Sequence, residues 1–180
     1  MIAMKSKRIH QKSNNALART LVPSLLAGFT LALLVFILSY LRVDLAYGIG
    51  TSLVIFTSFA SSIFIMFLMP RSTAAKSSKF VKSYALAGII GYVGSLGLAF
   101  MPLAAVAGLV VFVLALAMIA THSEHPPAAA IAFAFVLFKV GILGILVIAL
   151  GVLIILSVRF ALERLMFRFE KTLREEVKNI

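Results

Sequence analysis

THSEHPPAAAIAFAF, residues 121–135, follows a stretch without charge and returns at once to alanine and phenylalanine. Two histidines, a glutamate and two prolines stand inside a chain built for lipid. Hydrophobic residues make up 62% of the 180, mean hydropathy is +1.11, and charged residues are 13%. A soluble domain of this length carries a mostly polar surface, and this chain lacks the residues for one. The question posed by residues 121–135 is whether they form a loop at the membrane surface or a break within a crossing.

The surrounding runs set the frame. Residues 1–20 form a basic arm, expected to be loose and cytoplasmic, with His10 incidental in it. Leu21 to Leu41 is a first span of about 20 residues, enough to cross a bilayer as a helix, with Pro23 in its first turn. Gly48 to Met69 is a second span, carrying Thr51, Ser52, Thr57, Ser58, Ser61 and Ser62 and ended by Pro70. Residues 71–82 form a basic loop. Tyr84 to Ala120 is uncharged and would extend about 55 Å as one helix, far beyond a hydrocarbon core of about 30 Å. Pro102 divides it, so the spacing predicts a hairpin of helices over 83–100 and 103–120. Ala87, Gly91, Ser95 and Ala99 repeat every fourth residue, which lets helix backbones approach closely in lipid. Lys139 to Val158 is a last span. The tail, 159–180, places Leu162, Leu165, Phe169, Leu173 and Val177 at spacings of three and four, the pattern of an amphipathic cytoplasmic helix.

Charge placement counts the crossings. The net charge of +11 is gathered at the N-terminus, in the 71–82 loop and at the C-terminus, so all three are expected on the cytoplasmic side of a cell membrane. Such clusters beside apolar spans fit anionic lipid rather than nucleic acid. No cleavable signal peptide is expected. For the C-terminus to return inside, the chain must cross between 121 and 140, and only Pro127 to Phe138 is apolar there. Twelve helical residues cover about 18 Å. Part of the crossing is then non-helical, which survives at membrane depth only when buried in protein or lining a watery cavity. The competing reading makes 127–158 one helix and leaves five crossings.

The expected fold is therefore an all-α polytopic bundle of five to six transmembrane segments, with one segment short or broken after the prolines. FASSIFIMFLMP (59–70) and PAAAIAFAFVLF (127–138) share a pattern of small residues followed by an isoleucine- and phenylalanine-rich run. That leaves room for two inverted three-helix repeats with a site at their interface.

The chemistry of the junction suits an anion. Pro126 holds His125 extended, Pro127 fits a helix start, and the next N–H groups, those of Ala128, Ala129 and Ala130, lie at a positive dipole end. His125 adds a donor that titrates near neutral pH, and Ser61 and Ser62 offer hydroxyls from the matching place in the other half. Lys139 is either an end-of-helix residue reaching for headgroups or a fixed charge near the path. A weaker alternative is a metal site on His122, Glu124 and His125, with Glu124 otherwise pairing Lys139 or a basic-loop residue. Cysteine is absent, which excludes disulfides and thiolate sites. No nucleophile–base set or phosphate loop is present, so no enzyme and no cofactor is expected.

Phe59 to Pro70, the basic loop, the glycine-rich third helix and above all His125-Pro126-Pro127-Ala128-Ala129-Ala130 resemble the HPP family of integral membrane proteins over about residues 50–158. Members in cyanobacteria and plastids are associated with nitrite transport. The resemblance implies a carrier or channel for a small inorganic anion and marks His125, Pro126 and Pro127. RSTAAKSSKF is more basic than the usual loop, and the amphipathic tail departs from the family pattern. The expected partners are the bilayer, the anion and, through the glycine faces, further copies of the chain. A membrane scaffold or sensor subunit is the alternative.

Overall fold

A computed structural model describes the backbone of residues 2–178 and the side chains of residues 20–43 and 46–162. All regular structure among the described residues is helical. The elements are α1 (Ile2–Tyr40), α2 (Val43–Leu68), α3 (Ser77–Ser95), α4 (Leu103–Ala120), α5 (Ala128–Phe138) and α6 (Leu143–Lys178). Among the described residues, five stretches are long and apolar enough to cross a membrane: Thr20–Tyr40, Ala46–Leu68, Ser77–Ala99, Leu103–Ala120 and Leu143–Leu162. The chain is an all-α, polytopic integral membrane protein.

Each boundary has a local cause. Arg42, at φ 59, turns α1 back into α2. Gly48, at φ 79, kinks α2 where the sequence reading starts the second span, a backbone state that L side chains avoid. Pro102 caps α4 in extended geometry and closes the hairpin with α3, whose last turn tightens to 3₁₀ over Leu96–Ala99. At the end of α4, His122 adopts φ 51, and the Ser123 and His122 amides bond to the carbonyls of Met118 and Ile119 at 2.8 and 3.1 Å. That is a Schellman-type stop with histidine in the place glycine usually takes.

Some sequence boundaries move. α1 runs through residues expected as a loose arm, so Pro23 lies inside the helix rather than in its first turn; His10 and the other side chains of 1–19 lie outside those described. The basic loop is shorter than 71–82, because α3 begins at Ser77 and takes in Lys79 and Lys82. The last span starts at Leu143, not Lys139, and continues without a break through the tail to Lys178. From 145 onward α6 contains no proline and a single glycine, Gly151, which sits against the Phe59 ring. The amphipathic pattern beyond Leu162 lies outside the described side chains.

α5 occupies the centre. It packs on α3, α4 and α2, and Ala128, Ile131, Ala132, Phe135 and Val136 are fully buried. A Cβ on Gly91 would stand 2.7 Å from the Ala132 Cα, so the glycine sets how closely α3 and α5 approach. α4 by contrast buries only the stripe Val106, Val110, Leu114 and Met118. Its other faces, like Phe29, Phe36, Phe64 and Leu153 on other helices, are exposed apolar surface that fits lipid.

Candidate functional site

The HPP tripeptide lies at the start of α5, and α5 is a separate helix of 11 residues, about 16 Å long. It stops at Lys139, which takes φ 51 and caps it, before α6 begins at Leu143. The single long helix over 127–158 is thereby excluded. The first turn of α5 and the loop before it meet Ser58 and Ser62 of α2, while Phe138 at the other end of α5 meets Gly50. The two helices thus run antiparallel. Ser62 is six residues before the end of α2, so the junction lies about 9 Å inside that helix end.

His125 has 0% exposure. Its Nδ1 lies 2.9 Å from the Ala74 carbonyl oxygen, in the short 3₁₀ turn Thr73–Ala75 between α2 and α3. Its Nε2 lies 2.8 Å from Ser62 Oγ. Ser62 Oγ is 2.7 Å from Tyr84 Oη, and Tyr84 Oη is 2.7 Å from Ser58 Oγ. Ser58 donates to the Pro127 carbonyl at 2.7 Å. One chain of polar contacts thus joins α2, α3, the 3₁₀ turn and the α5 junction. Aromatic rings enclose it. Phe80 meets the imidazole edge-on at 5.4 Å, and Phe59 stacks on Tyr84 at 5.1 Å.

Two further contacts fasten the junction. Glu124 pairs with Lys79, a residue of the expected basic loop, and this bond holds the Glu124 carboxyl below its usual value. Arg159 of α6 donates to the Ala75 carbonyl. Among the described side chains Glu124 is the only carboxylate, while Arg71, Lys76, Lys79, Lys82 and Arg159 gather at this end of the bundle.

The candidate residues of the sequence separate into groups. His125, Pro127 and Ser62 come together. Ser61 does not: it is exposed, and its hydroxyl bonds back to Thr57 at 3.0 Å. Lys139 is exposed at the opposite end of α5. The Ala128, Ala129 and Ala130 amides are not bare, because the carbonyls of His125, Pro126 and Pro127 accept from them at 3.1, 3.0 and 3.2 Å. The double proline forces a tight turn that caps the helix with its own chain. The metal alternative also fails as a geometry: His122 is an exposed helix stop, Glu124 is taken by Lys79, and no group of three such ligands occurs among the described residues.

Ser58 and Tyr84 join the site without having been candidates. Ser58 stands four residues before Ser62, on the same face of α2, and a tyrosine opening an uncharged span is a polar handle that must find a partner when buried. No curated protein and no solved structure matches the chain. A family model described as HPP, transmembrane region, matches residues 13–170, and the chain belongs to that family of membrane proteins.

Proposed function

We propose that this protein moves a small inorganic monovalent anion, of the nitrite type, across the cell membrane, with both termini cytoplasmic and the HPP junction as the gate. The observation that supports this most is the short helix at the junction: α5, of 11 residues, starts inside the bundle beside a buried histidine. Broken helices at membrane depth are tolerated where they line a path, and their N-terminal ends favour negative charge. The surplus of lysine and arginine at this end draws anions toward it and meets anionic headgroups. In the closed form the Ala128 to Ala130 amides are engaged by their own turns. An anion reaches them only when the His125–Pro127 turn opens, so binding and gating are one event.

The test is flux. Purified protein in liposomes should admit nitrite, and nitrate, chloride or formate with different rates. His125→Ala, which deletes the ring bridging Ser62 and Ala74, should change the rate by about tenfold or more, the worth of one buried hydrogen bond. If none of these anions moves, the transport reading fails and a membrane scaffold becomes the better account.

A further inference from the structure

The polar chain at the junction has a proton count that the sequence does not reveal. It begins at the Ala74 carbonyl and ends at the Pro127 carbonyl, and both can only accept. Between them stand the imidazole and three hydroxyls, those of Ser62, Tyr84 and Ser58, linked by contacts of 2.7 to 2.9 Å. Five contacts need five protons. A neutral imidazole supplies one proton and the hydroxyls three, so one contact is left as two lone pairs facing each other.

A doubly protonated ring fills every contact. Nδ1–H donates to Ala74 and Nε2–H to Ser62. Ser62 donates to Tyr84, Tyr84 to Ser58, and Ser58 to Pro127. The other acceptor open to Ser62, the Ser58 carbonyl, is farther away at 3.1 Å.

We propose that this chain is a proton-binding site and that His125 takes up its proton together with the transported anion. The inference rests on the transport reading and names its coupling ion. The charges around the ring support it. From α3, Lys79 is neutralised by Glu124; from α6, Arg159 sits on the adjacent Ala75 carbonyl; from α2 and α3, only hydroxyls and the Phe80 edge face the ring; in its own loop, His122 is exposed. No described carboxylate bonds to the imidazole, so an imidazolium here lacks a fixed counter-ion. An arriving monovalent anion supplies one. Burial and the positive end of α5 oppose protonation, while the completed chain favours it. Proton and anion therefore each raise the affinity of the protein for the other.

The chain makes an unusual prediction for substitution. Tyr84→Phe removes one proton and two contacts, leaving three protons for three contacts with a neutral ring. The imidazolium loses its advantage, and the His125 pKa should fall by about one pH unit, the worth of one charge-assisted bond. A purely structural role gives the opposite sign, because loosening the pocket rehydrates a buried ring, and water favours the charged form. The chain holds three histidines, so ¹⁵N-histidine NMR in nanodiscs, with His10→Gln and His122→Gln for assignment, reads the titration directly. Ser58→Ala changes the count in the same way and serves if Tyr84→Phe does not fold.

A fall in every variant that folds supports the site; no change or a rise in a folded variant overturns it. In liposomes holding a pH dye, nitrite entry should carry protons and accelerate several-fold with an inward proton gradient. Nitrite entry without proton movement overturns the coupling and leaves the transport reading standing. Where no anion moves at all, the transport reading and with it the coupling fall, and the NMR titration alone decides whether the chain binds a proton.

Discussion

Gly91→Ala should expose how closely the half-length helix is held. The added Cβ would lie 2.7 Å from the Ala132 Cα and 3.0 Å from both the Ala132 carbonyl oxygen and the Phe135 Cβ. Carbon pairs sit comfortably at about 3.5–4.0 Å. The nearest obstacle is backbone and cannot rotate away, so α3 and α5 must part by about 1 Å. Overpacking of this kind costs about 1–3 kcal/mol. Alanine is also a better helix former than glycine by about 1 kcal/mol, which partly hides the cost. Gly108→Ala removes that ambiguity. Gly108 also lies inside a helix, α4, and a Cβ added there would meet nothing within 4 Å. It gains the propensity term without the clash. The difference between the two variants, by equilibrium unfolding in mixed micelles, should therefore be about 1–3 kcal/mol, with Gly91→Ala the weaker. Equal stabilities would refute the close α3–α5 approach and with it the buried position of α5.

Other substitutions separate the buried chain from its surroundings. Ser62→Ala orphans His125 Nε2 and a Tyr84 contact and should cost about 1–3 kcal/mol in the same unfolding assay. Ser52→Ala should stabilise by about 1 kcal/mol, because the buried Ser52 hydroxyl has no hydrogen-bond partner among the described residues. His122→Gly and Lys139→Gly should each raise the melting temperature, since φ 51 at both positions costs an L side chain about 1 kcal/mol. The Glu124 carboxyl is held below its ordinary value of 4.5 by Lys79, so its contribution is full above that value and lost as pH falls through the lowered one. Glu124→Gln should remove this acid-side slope from the stability profile and lower stability at neutral pH by the same small amount, leaving stability at low pH unchanged.

Charge placement and length carried most of the fold in the sequence. The uncharged run from Tyr84 to Ala120 was too long for one crossing, and Pro102 named the hairpin. The basic ends asked for a return between 121 and 140, for which only Pro127 to Phe138 is apolar, and the structure has a separate short helix there, α5. The site was legible in part. His125 and Ser62 followed from the motif and the serine streak, but Ser58 over Ser61 is a matter of which face of α2 turns inward, and hydroxyls alone do not say. Tyr84 meets His125 only through folding of the third helix against the second. The closed amides were out of reach for a local reason: a double proline suggests bare N–H groups behind it, whereas the turn it forces brings the carbonyls of residues 125–127 onto them. The continuity of α6 into the tail escaped for a simpler reason: a change from apolar to amphipathic composition is not a helix break.

The side of the membrane occupied by the Lys139–Ile142 loop decides whether the HPP helix crosses at all. The chain has no cysteine, so Ile142→Cys and Arg71→Cys each introduce a lone thiol at an exposed position. A membrane-impermeant maleimide applied to cells and to inverted vesicles should label them from opposite sides, with Arg71→Cys reached only from the cytoplasmic face. Labelling of both from the same side would mean that residues 128–138 turn back without crossing, and a gate built on that half-length helix could not stand.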